Sequence, residues 1–214
     1  MSKRMISTVV FLLALAVQVS AEDKVTIEDF VISPGETKEL SITLENEVTY
    51  AAFQFNLYLP EGLSISEYCK DEARVPEGTT LSMSQVKDGS YKFIAVAMKT
   101  NNIVGTSGSI ATIKVTASKD VVGGSLTAYF RKVKLSKLDG TGSTYEEMAF
   151  PITVLKPGDA NYDNEVDTKD IVAITEYMMG KEPENFNVKN ADVNGDGIIN
   201  IADIIQIVKQ ILKY

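Results

Sequence analysis

Two copies of one pattern of oxygen-bearing residues lie in the C-terminal part of the chain and constrain its fold more than any other feature. The first copy begins at Asp159 and the second at Asp192, 33 residues further on. Each has carboxylate or amide side chains at positions 1, 3, 5, 9 and 12, from which a loop of the EF-hand type directs hard oxygen ligands at one calcium ion, and position 7 adds its backbone carbonyl. The sequence therefore predicts two calcium ions. The predicted ligands are Asp159, Asn161, Asp163, Glu165, Asp167 and Asp170 in the first loop, and Asp192, Asn194, Asp196, Ile198, Asn200 and Asp203 in the second.

Two further loop positions bear on whether both copies bind a cation. Position 8 is aliphatic in both, at Val166 and Ile199, and we expect these side chains to pack the two loops back to back. Position 6 is Gly197 in the second loop but Asn164 in the first. Asparagine is the residue next best suited to a left-handed backbone, so we expect both loops to bind.

An apolar stripe at helical spacing follows each loop. The first covers residues 168–179, with Gly180 placed to end the helix, and the second covers residues 201–214. The connector, residues 181–190, is expected to contain one short turn of helix. Pro157 stands just before the first loop and prevents a helix from entering it, so each unit is a loop followed by a helix. Two short helices with few core residues make a module that we expect to need its metal to fold.

The N-terminus has the parts of a secretory signal peptide. Lys3 and Arg4 precede a continuous apolar run over residues 8–19, and small residues precede a cleavage site after Ala21. We therefore predict a signal peptide over residues 1–21 and a secreted mature protein without a stable membrane span. A retained membrane anchor is the alternative, but the apolar run is too short to cross a bilayer and no other run is long enough.

Alternating apolar and polar residues dominate the region from Lys24 to Leu155, in runs separated by turn residues. In the third run, residues 53, 55, 57 and 59 are apolar, whereas the residues between them, including Asn56, are expected to face water. Many such strands without a convincing helix predict a jelly-roll-type antiparallel β-sandwich over residues 22–155, because two amphipathic sheets bury their apolar faces on each other. The predicted strands are residues 25–32, 37–44, 50–59, 79–84, 91–98, 110–117, 125–135 and 145–154.

Charge and composition exclude several functions. The formal net charge is −8, and eight of the acidic residues lie in the two predicted loops, where calcium would offset them. No basic cluster with interleaved aromatic residues occurs, so we predict no nucleic-acid partner.

The residue types on which common hydrolases depend are missing. The chain has no histidine and one cysteine, Cys69, so a Ser-His-Asp or Cys-His arrangement and most zinc sites are excluded. Adjacent acidic residues such as Glu146 and Glu147 point to opposite sides of a strand, unlike the paired carboxylates of a glycosidase. We therefore predict no catalytic residues and no enzyme activity. The absence of tryptophan also weakens a sugar-stacking platform, although four tyrosines are candidates for one: Tyr58, Tyr68, Tyr91 and Tyr129.

The predicted sandwich resembles a cohesin-type domain in its opening strands. The likeness lies in residues 25–37, in the alternating run of residues 40–44 and in the run of residues 52–63, which ends in Leu59-Pro60-Glu61-Gly62-Leu63. Cohesins are similar in fold to carbohydrate-binding sandwich modules. The resemblance therefore implies a binding module and leaves its ligand open between a protein and a glycan.

The C-terminal module, residues 156–214, resembles a dockerin, a family with two loop–helix repeats, aspartate at position 12 and the phrase Asp-x-Asn-x-Asp-Gly at the start of each loop. The second copy matches this pattern throughout, whereas the first departs from it at Asn164. The resemblance implies a mainly β cohesin-like domain followed by a small all-α calcium-binding dockerin domain.

Dockerins bind cohesin domains and so join secreted proteins into assemblies that degrade polysaccharides. The resemblance therefore implies a cohesin-domain partner, with a second partner, a dockerin or a polysaccharide, for the sandwich. Because the two helices present unlike residues, we predict one binding mode with Ile201 and Ala202 as the more apolar contact; the alternative is that Ile201 belongs to the helix core. The partner-binding residues that the resemblance implies are Thr168, Lys169, Glu176, Ile201, Ala202 and Lys209.

Overall fold

The structure is a computed structural model that describes residues 23–97 and 102–213. The predicted signal peptide and its cleavage site after Ala21 lie outside the described residues, as does the last residue of the predicted strand 91–98. Within the described part of the chain, a β-sandwich is followed by a small helical module, as the sequence predicts.

Ten strands form the sandwich in the described residues. One sheet has the order β1-β3-β8-β5 and the other has the order β2-β10-β9-β4-β7-β6. The strands are β1 (Lys24–Ile27), β2 (Phe30–Ile32), β3 (Thr37–Glu45), β4 (Ala52–Tyr58), β5 (Leu63–Lys70), β6 (Thr79–Gln85), β7 (Tyr91–Ala97), β8 (Ser109–Ala117), β9 (Gly124–Ser136) and β10 (Gly142–Val154).

The apolar faces of the two sheets enclose one core, whose centre is aromatic. Phe55 stacks on Phe53 and Phe93 with ring centroids 5.7 and 5.2 Å apart, and it meets the edge of Phe130 at 5.1 Å. The expectation that Asn56 faces water is wrong. Because β4 is an inner strand between β9 and β7, its neighbours cover Asn56, and the amide donates a hydrogen bond to Ser90 Oγ at 3.1 Å.

The strand pattern differs from the sequence prediction in two places. The predicted strand 25–32 is divided: β1 pairs with β3 in one sheet, and β2 pairs with β10 in the other, where it makes a parallel pairing in an otherwise antiparallel sandwich. The sequence prediction also missed β5. A register shift between Ile65 and Glu67 breaks the alternation that would have marked β5 as a strand.

Three helices follow the sandwich: α1 (Thr168–Met178), α2 (Val188–Ala191) and α3 (Ile201–Leu212). Gly180 ends the first helical region with φ +78°, and α2 supplies the short turn expected in the connector. The small core has fully buried Ile174 and Ile207 at its centre, and Val166 and Ile199 from position 8 of the two loops pack against it. Across residues 23–97 and 102–213, no helix has the length and apolar character needed to cross a membrane.

Asp23 fastens the start of the described chain to the sandwich. Its carboxylate accepts hydrogen bonds from the hydroxyl groups of Tyr50 and Tyr145 and from the N–H of Glu47. Burial by itself raises the pKa of Asp23, but these hydrogen bonds, with a further contribution from Ser143, outweigh burial and lower it. Burial and the hydrogen bond to Asp23 raise the pKa of Tyr50 to about 12.

We expect Asp23→Asn to lower the free energy of unfolding of the sandwich by about 2 kcal/mol at pH 7, because hydrogen bonds to a charged acceptor are lost. The folded pKa of Asp23 is depressed, so its contribution is complete above the unfolded pKa of about 3.9 and disappears as the pH falls through the folded pKa. Urea unfolding at pH 7, 5 and 3.5 measures this difference, which should shrink at the lowest pH. The exposed Asp29→Asn is the control, and an equal loss in both variants would contradict the role of Asp23.

Candidate metal centre and docking surface

The first loop begins where the sandwich ends and is held there by α2. The N–H groups of Lys156 and Gly158 donate to the side-chain and backbone oxygens of Asn190 at 3.0 and 2.8 Å, and the Asn190 amide donates to the carbonyl of Asp159 at 3.0 Å. Gly158 has φ +105°, and a Cβ at this position would lie 2.8 Å from Gln210 Oε1. Only glycine fits this point, where the chain turns from β10 into the loop.

Both loops turn through the same left-handed backbone positions. At position 6, Asn164 has φ +67° and Gly197 has φ +82°, so asparagine replaces glycine without a change of conformation. At position 4, Gly195 has φ +74° in the second loop, but Tyr162 has φ +61° in the first. The sequence reasoning missed Tyr162, whose left-handed conformation is strained for a bulky side chain.

The side chain at position 1 organises the turn of each loop. Asp159 accepts hydrogen bonds from the N–H groups of Asp163 and Asn164 at 3.0 and 3.1 Å. Asp192 accepts hydrogen bonds from the N–H groups at the equivalent positions of the second loop at 3.1 and 2.9 Å. The two loops therefore repeat one geometry with different side chains around it.

The aspartate at position 12 joins the loop to its helix. One oxygen of Asp170 accepts from the N–H of Asn161 at 3.1 Å, and the other accepts from the N–H of Asp167, the N-cap residue of α1, at 2.8 Å. Asp203 repeats this arrangement at the start of α3, where Asn200 is the N-cap residue. Both aspartates are completely buried, so each carboxylate faces the interior of its loop.

The electrostatics of the first loop fit a bound cation. Asp159 is 1% exposed. Burial raises its pKa, and the nearby charge of Asp170 raises it further, against the lowering effect of the loop N–H groups. In the more exposed Asp163, hydrogen bonds from the N–H of Glu165 and the amide of Asn161 lower the pKa. A divalent cation in this loop would offset the charges of the buried carboxylates.

The loop carboxylates are turned towards the backbone. Across the described residues, no group of three or more acidic, histidine or cysteine side chains is arranged to hold a metal ion. Loops of this type also use amide and main-chain oxygens, and the predicted ligands from position 1 to position 12 lie along one turn in each copy. The oxygen-rich donor set therefore fits a hard cation such as calcium.

Lys169, at position 11 of the first loop, lies over that loop's carboxylates. Its Nζ is 3.2 Å from Asp163 Oδ2, 3.5 Å from Asp167 Oδ2 and 3.9 Å from Glu165 Oε2. The hydrogen bond to Asp163 and the charges of Asp163 and Asp167 raise the pKa of Lys169. This side chain is directed at the loop, at a position where the dockerin resemblance implies a partner contact.

The predicted partner-binding residues lie on different parts of the helices. Thr168 and Lys209 are exposed, Ala202 is half-buried, and Glu176 forms an ion pair with Lys181 at 3.1 Å. Ile201 is 65% exposed, which rules out the alternative that it belongs to the helix core.

Ile201 is the first member of a longer apolar row on the outer face of α3, defined by Ile201, Ile205, Val208 and Leu212. These residues are 65, 50, 37 and 59% exposed, and their spacing places them on one side of the helix. The opposite side carries the buried Ile207. Sequence reasoning missed this outer row because it assigned all the apolar residues of α3 to one stripe. Their number is too large for one face of the helix, and this excess could have indicated a second apolar face.

The four tyrosines considered as a sugar-stacking platform do not form one. Tyr91 is buried, and Tyr68 is in the opposite sheet. Tyr58 and Tyr129 are neighbours on β4 and β9, but the guanidinium of Arg131 lies over both rings, 4.9 and 4.8 Å from their centroids.

A comparison with protein families identifies the C-terminal module. The model of the dockerin type I domain matches residues 157–212, a region that contains both loops and all three helices. This match supports calcium as the cation of the loops. No curated protein sequence matches the chain.

Solved structures are similar to the sandwich. A chain of a type I cohesin–dockerin complex from Clostridium thermocellum has a TM-score of 0.53 at 15% identity, over 63% of this chain and 100% of that chain. A type I cohesin from Pseudobacteroides cellulosolvens has a TM-score of 0.52 at 17% identity, over 61% of this chain and 90% of its own. A non-cellulosomal cohesin from Archaeoglobus fulgidus has a TM-score of 0.51 at 14% identity, over 63% and 92%. Each alignment covers a larger share of this chain than the helical module could supply, so it includes the sandwich. The sandwich therefore has a cohesin-like fold.

We expect Asp159→Ala combined with Asp192→Ala to abolish the stabilisation of the helical module by calcium. Each substitution removes the position 1 carboxylate that organises a loop. Calcium at a concentration of about 100 times the Kd of a site stabilises the folded state by about 2.7 kcal/mol, and the variant should lose this stabilisation. Thermal unfolding with calcium and with EDTA measures the effect.

The control for this experiment is Asp29→Ala with Asp120→Ala, which removes the same charge from exposed positions of the sandwich. The control should keep the full calcium response. Retention of that response in the loop variant would contradict the metal assignment.

Proposed function

We propose that the chain is a secreted, non-catalytic assembly protein of extracellular polysaccharide degradation. Its dockerin-type module would bind two calcium ions and a cohesin-domain partner, and its cohesin-like sandwich would provide a second protein-binding module. The occurrence of both module types in one chain supports an adaptor. The similar structure from Clostridium thermocellum is itself a complex between a cohesin and a dockerin.

The outer apolar row of α3 is the observation that carries this proposal. Four aliphatic side chains on one face of a helix leave apolar area in water, which association with a partner would remove. Interface energy is concentrated in a few central residues. Ile205 and Val208, in the middle of the row, are therefore expected to contribute most, with Ile201 at its edge.

The other helix supports a single binding mode. The repeat-equivalent residues are Thr168, Val172 and Thr175 on α1 and Met179 at its C-cap. Val172 and Met179 are 58 and 62% exposed, but Thr175 stands between them and Thr168 begins the row. A partner that fits the continuous aliphatic row of α3 would lose two of its four apolar contacts on α1.

Calcium would act through the shape of the module. A bound ion would supply the positive charge that draws the loop carboxylates together. The chain's own residues then transmit this order: Asp170 and Asp203 fix the start of each helix, while Val166 and Ile199 hold the loops against the shared core. Binding of the partner is therefore expected to require calcium.

The alternative is that the sandwich binds a carbohydrate and the dockerin-type module attaches it to a scaffold. The side chain that weighs against this alternative is Arg131, which covers one face of the half-buried rings of Tyr58 and Tyr129 and pairs with Glu147 at 2.7 Å. A sugar would have to displace this charged group before it could stack. A protein surface, in contrast, can pair with the guanidinium and the carboxylate where they lie.

We expect Ile205→Asp to weaken calcium-dependent binding to a type I cohesin by about 30-fold or more, because a charge in the centre of the apolar row replaces a central contact. Val172→Asp is the matched control, since it makes the same kind of change at the equivalent position of α1. Calorimetric titration of each full-length variant with a panel of purified type I cohesins measures the affinities. Equal losses in the two variants would contradict the assignment to α3.

The same preparations distinguish the two functions of the sandwich. The full-length Ile205→Asp variant, whose cohesin binding is expected to be weakened, is titrated into dockerin modules and, separately, into a panel of plant polysaccharides. Binding to a dockerin supports the adaptor. Binding to a polysaccharide alone would establish the alternative, and the release of sugar products would contradict the non-catalytic assignment.

A further inference from the structure

Lys169 places a positive charge of the chain itself on the first loop. Its ammonium lies within 4 Å of three carboxylates, at positions 5, 7 and 9 of that loop. Two of them, Asp163 and Asp167, are predicted to bind calcium through their side chains. The ammonium thus contacts two of the carboxylates that a metal ion would use.

The second loop has no equivalent. Its position 11 is Ala202, and its positions 7 and 9 are Ile198 and Asn200, which carry no charge. The backbone geometry of the two loops is the same, so the difference lies in the side chains alone. Lys169 is therefore not a requirement of the loop fold.

We propose that Lys169 is a built-in counter-cation of the first loop, which stabilises its metal-free form and sets its calcium affinity. This inference rests on the proposed binding of calcium by the loops. It assigns a role to a residue that the dockerin pattern places among the partner contacts.

Electrostatics gives the direction of the effect. In the metal-free loop, Lys169 relieves the mutual repulsion of Asp163, Glu165 and Asp167, which stabilises the state that calcium must convert. When calcium arrives, the ammonium either leaves its carboxylates or remains beside a divalent cation, and both outcomes cost binding free energy. Calcium affinity is therefore lower with Lys169 than without it.

The magnitude follows from the exposure of the pairs. The Lys169 side chain is 62% exposed, so each ion pair is screened by water. Exposed pairs that share one ammonium are weak, so we expect the network to change the calcium affinity of the first loop by about three- to tenfold. High salt should reduce this factor, because screening acts on exposed charges.

Filling the first loop also changes what α1 presents to a partner. Calcium competes for Asp163 and Asp167, and where it displaces the ammonium of Lys169 that group would turn towards solvent beside Thr168.

The test is calorimetric titration of the full chain with calcium after treatment with EDTA. Lys169→Met keeps the aliphatic stem and Lys169→Ala matches Ala202; both should raise the affinity of one of the two sites by about three- to tenfold at low salt. Lys169→Arg retains the charge and should stay within about twofold of the unmodified chain. Lys181→Ala is the charge-matched control, because Lys181 pairs with Glu176 on the helix and not with a loop.

In the Asp192→Ala variant, only the first loop is expected to bind calcium. A change in affinity that Lys169→Met causes in this variant therefore belongs to the first loop. Lys169→Met should raise the calcium affinity in this background and leave it unchanged in the Asp159→Ala background. An unchanged affinity in all Lys169 variants, with two ions still bound, would overturn the role of Lys169 and leave calcium binding intact. Failure of the unmodified chain to bind calcium would overturn both.

Discussion

The buried aspartate at position 12 is the interaction on which the helical module depends. In each repeat, one carboxylate accepts a hydrogen bond from the start of its loop and another from the N-cap residue of the following helix. A negative charge at this place also favours the helix N-terminus electrostatically. Asp170 and Asp203 thus define at once where the loop closes and where the helix begins. A side chain with one acceptor oxygen could not make both connections.

The module combines a repeated backbone with unlike surfaces. Corresponding hydrogen bonds in the two loops agree within a few tenths of an ångström, down to the contact of position 5 with position 1 at 3.0 and 3.1 Å. On this common frame, the second repeat adds an aliphatic row on α3, whereas the first adds Lys169 over its own loop. The repeat supplies two loops of similar backbone, which differ in the side chains around them.

The sequence was sufficient where one local pattern determines the structure. The loops, the bounds of the helices and the left-handed turn at Asn164 follow from residue types at fixed spacing. The strands of the sandwich could be predicted from the alternation of apolar and polar residues, with two exceptions. The register shift after Ile65 concealed β5. The change of sheet between β1 and β2 leaves no mark in the hydrophobic pattern. The burial of Asn56 depends on which strands flank β4, and that is a property of the whole sheet.

The candidate site shows the same division. The positions of the two loops could be predicted because the spacing of their residues is fixed by the loop pattern. The exposure of Ile205 and the direction of Lys169 could not, because both depend on how α1 and α3 share one small core and on where a long side chain finds opposite charge. The strained backbone of Tyr162 also has no signature in its residue type, since tyrosine rarely adopts a left-handed conformation.

The direct passage from β10 into the first loop has a mechanical consequence. In the proposed adaptor, tension between the bodies bound to its two modules would enter the sandwich at Val154. β10 pairs with β9 along its length, and its final residues also pair with β2. A pull along the strand therefore loads many backbone hydrogen bonds together in shear, and the parallel strand β2 reinforces the end that receives the force. The end of β10 that would receive this load therefore has a paired strand on each side.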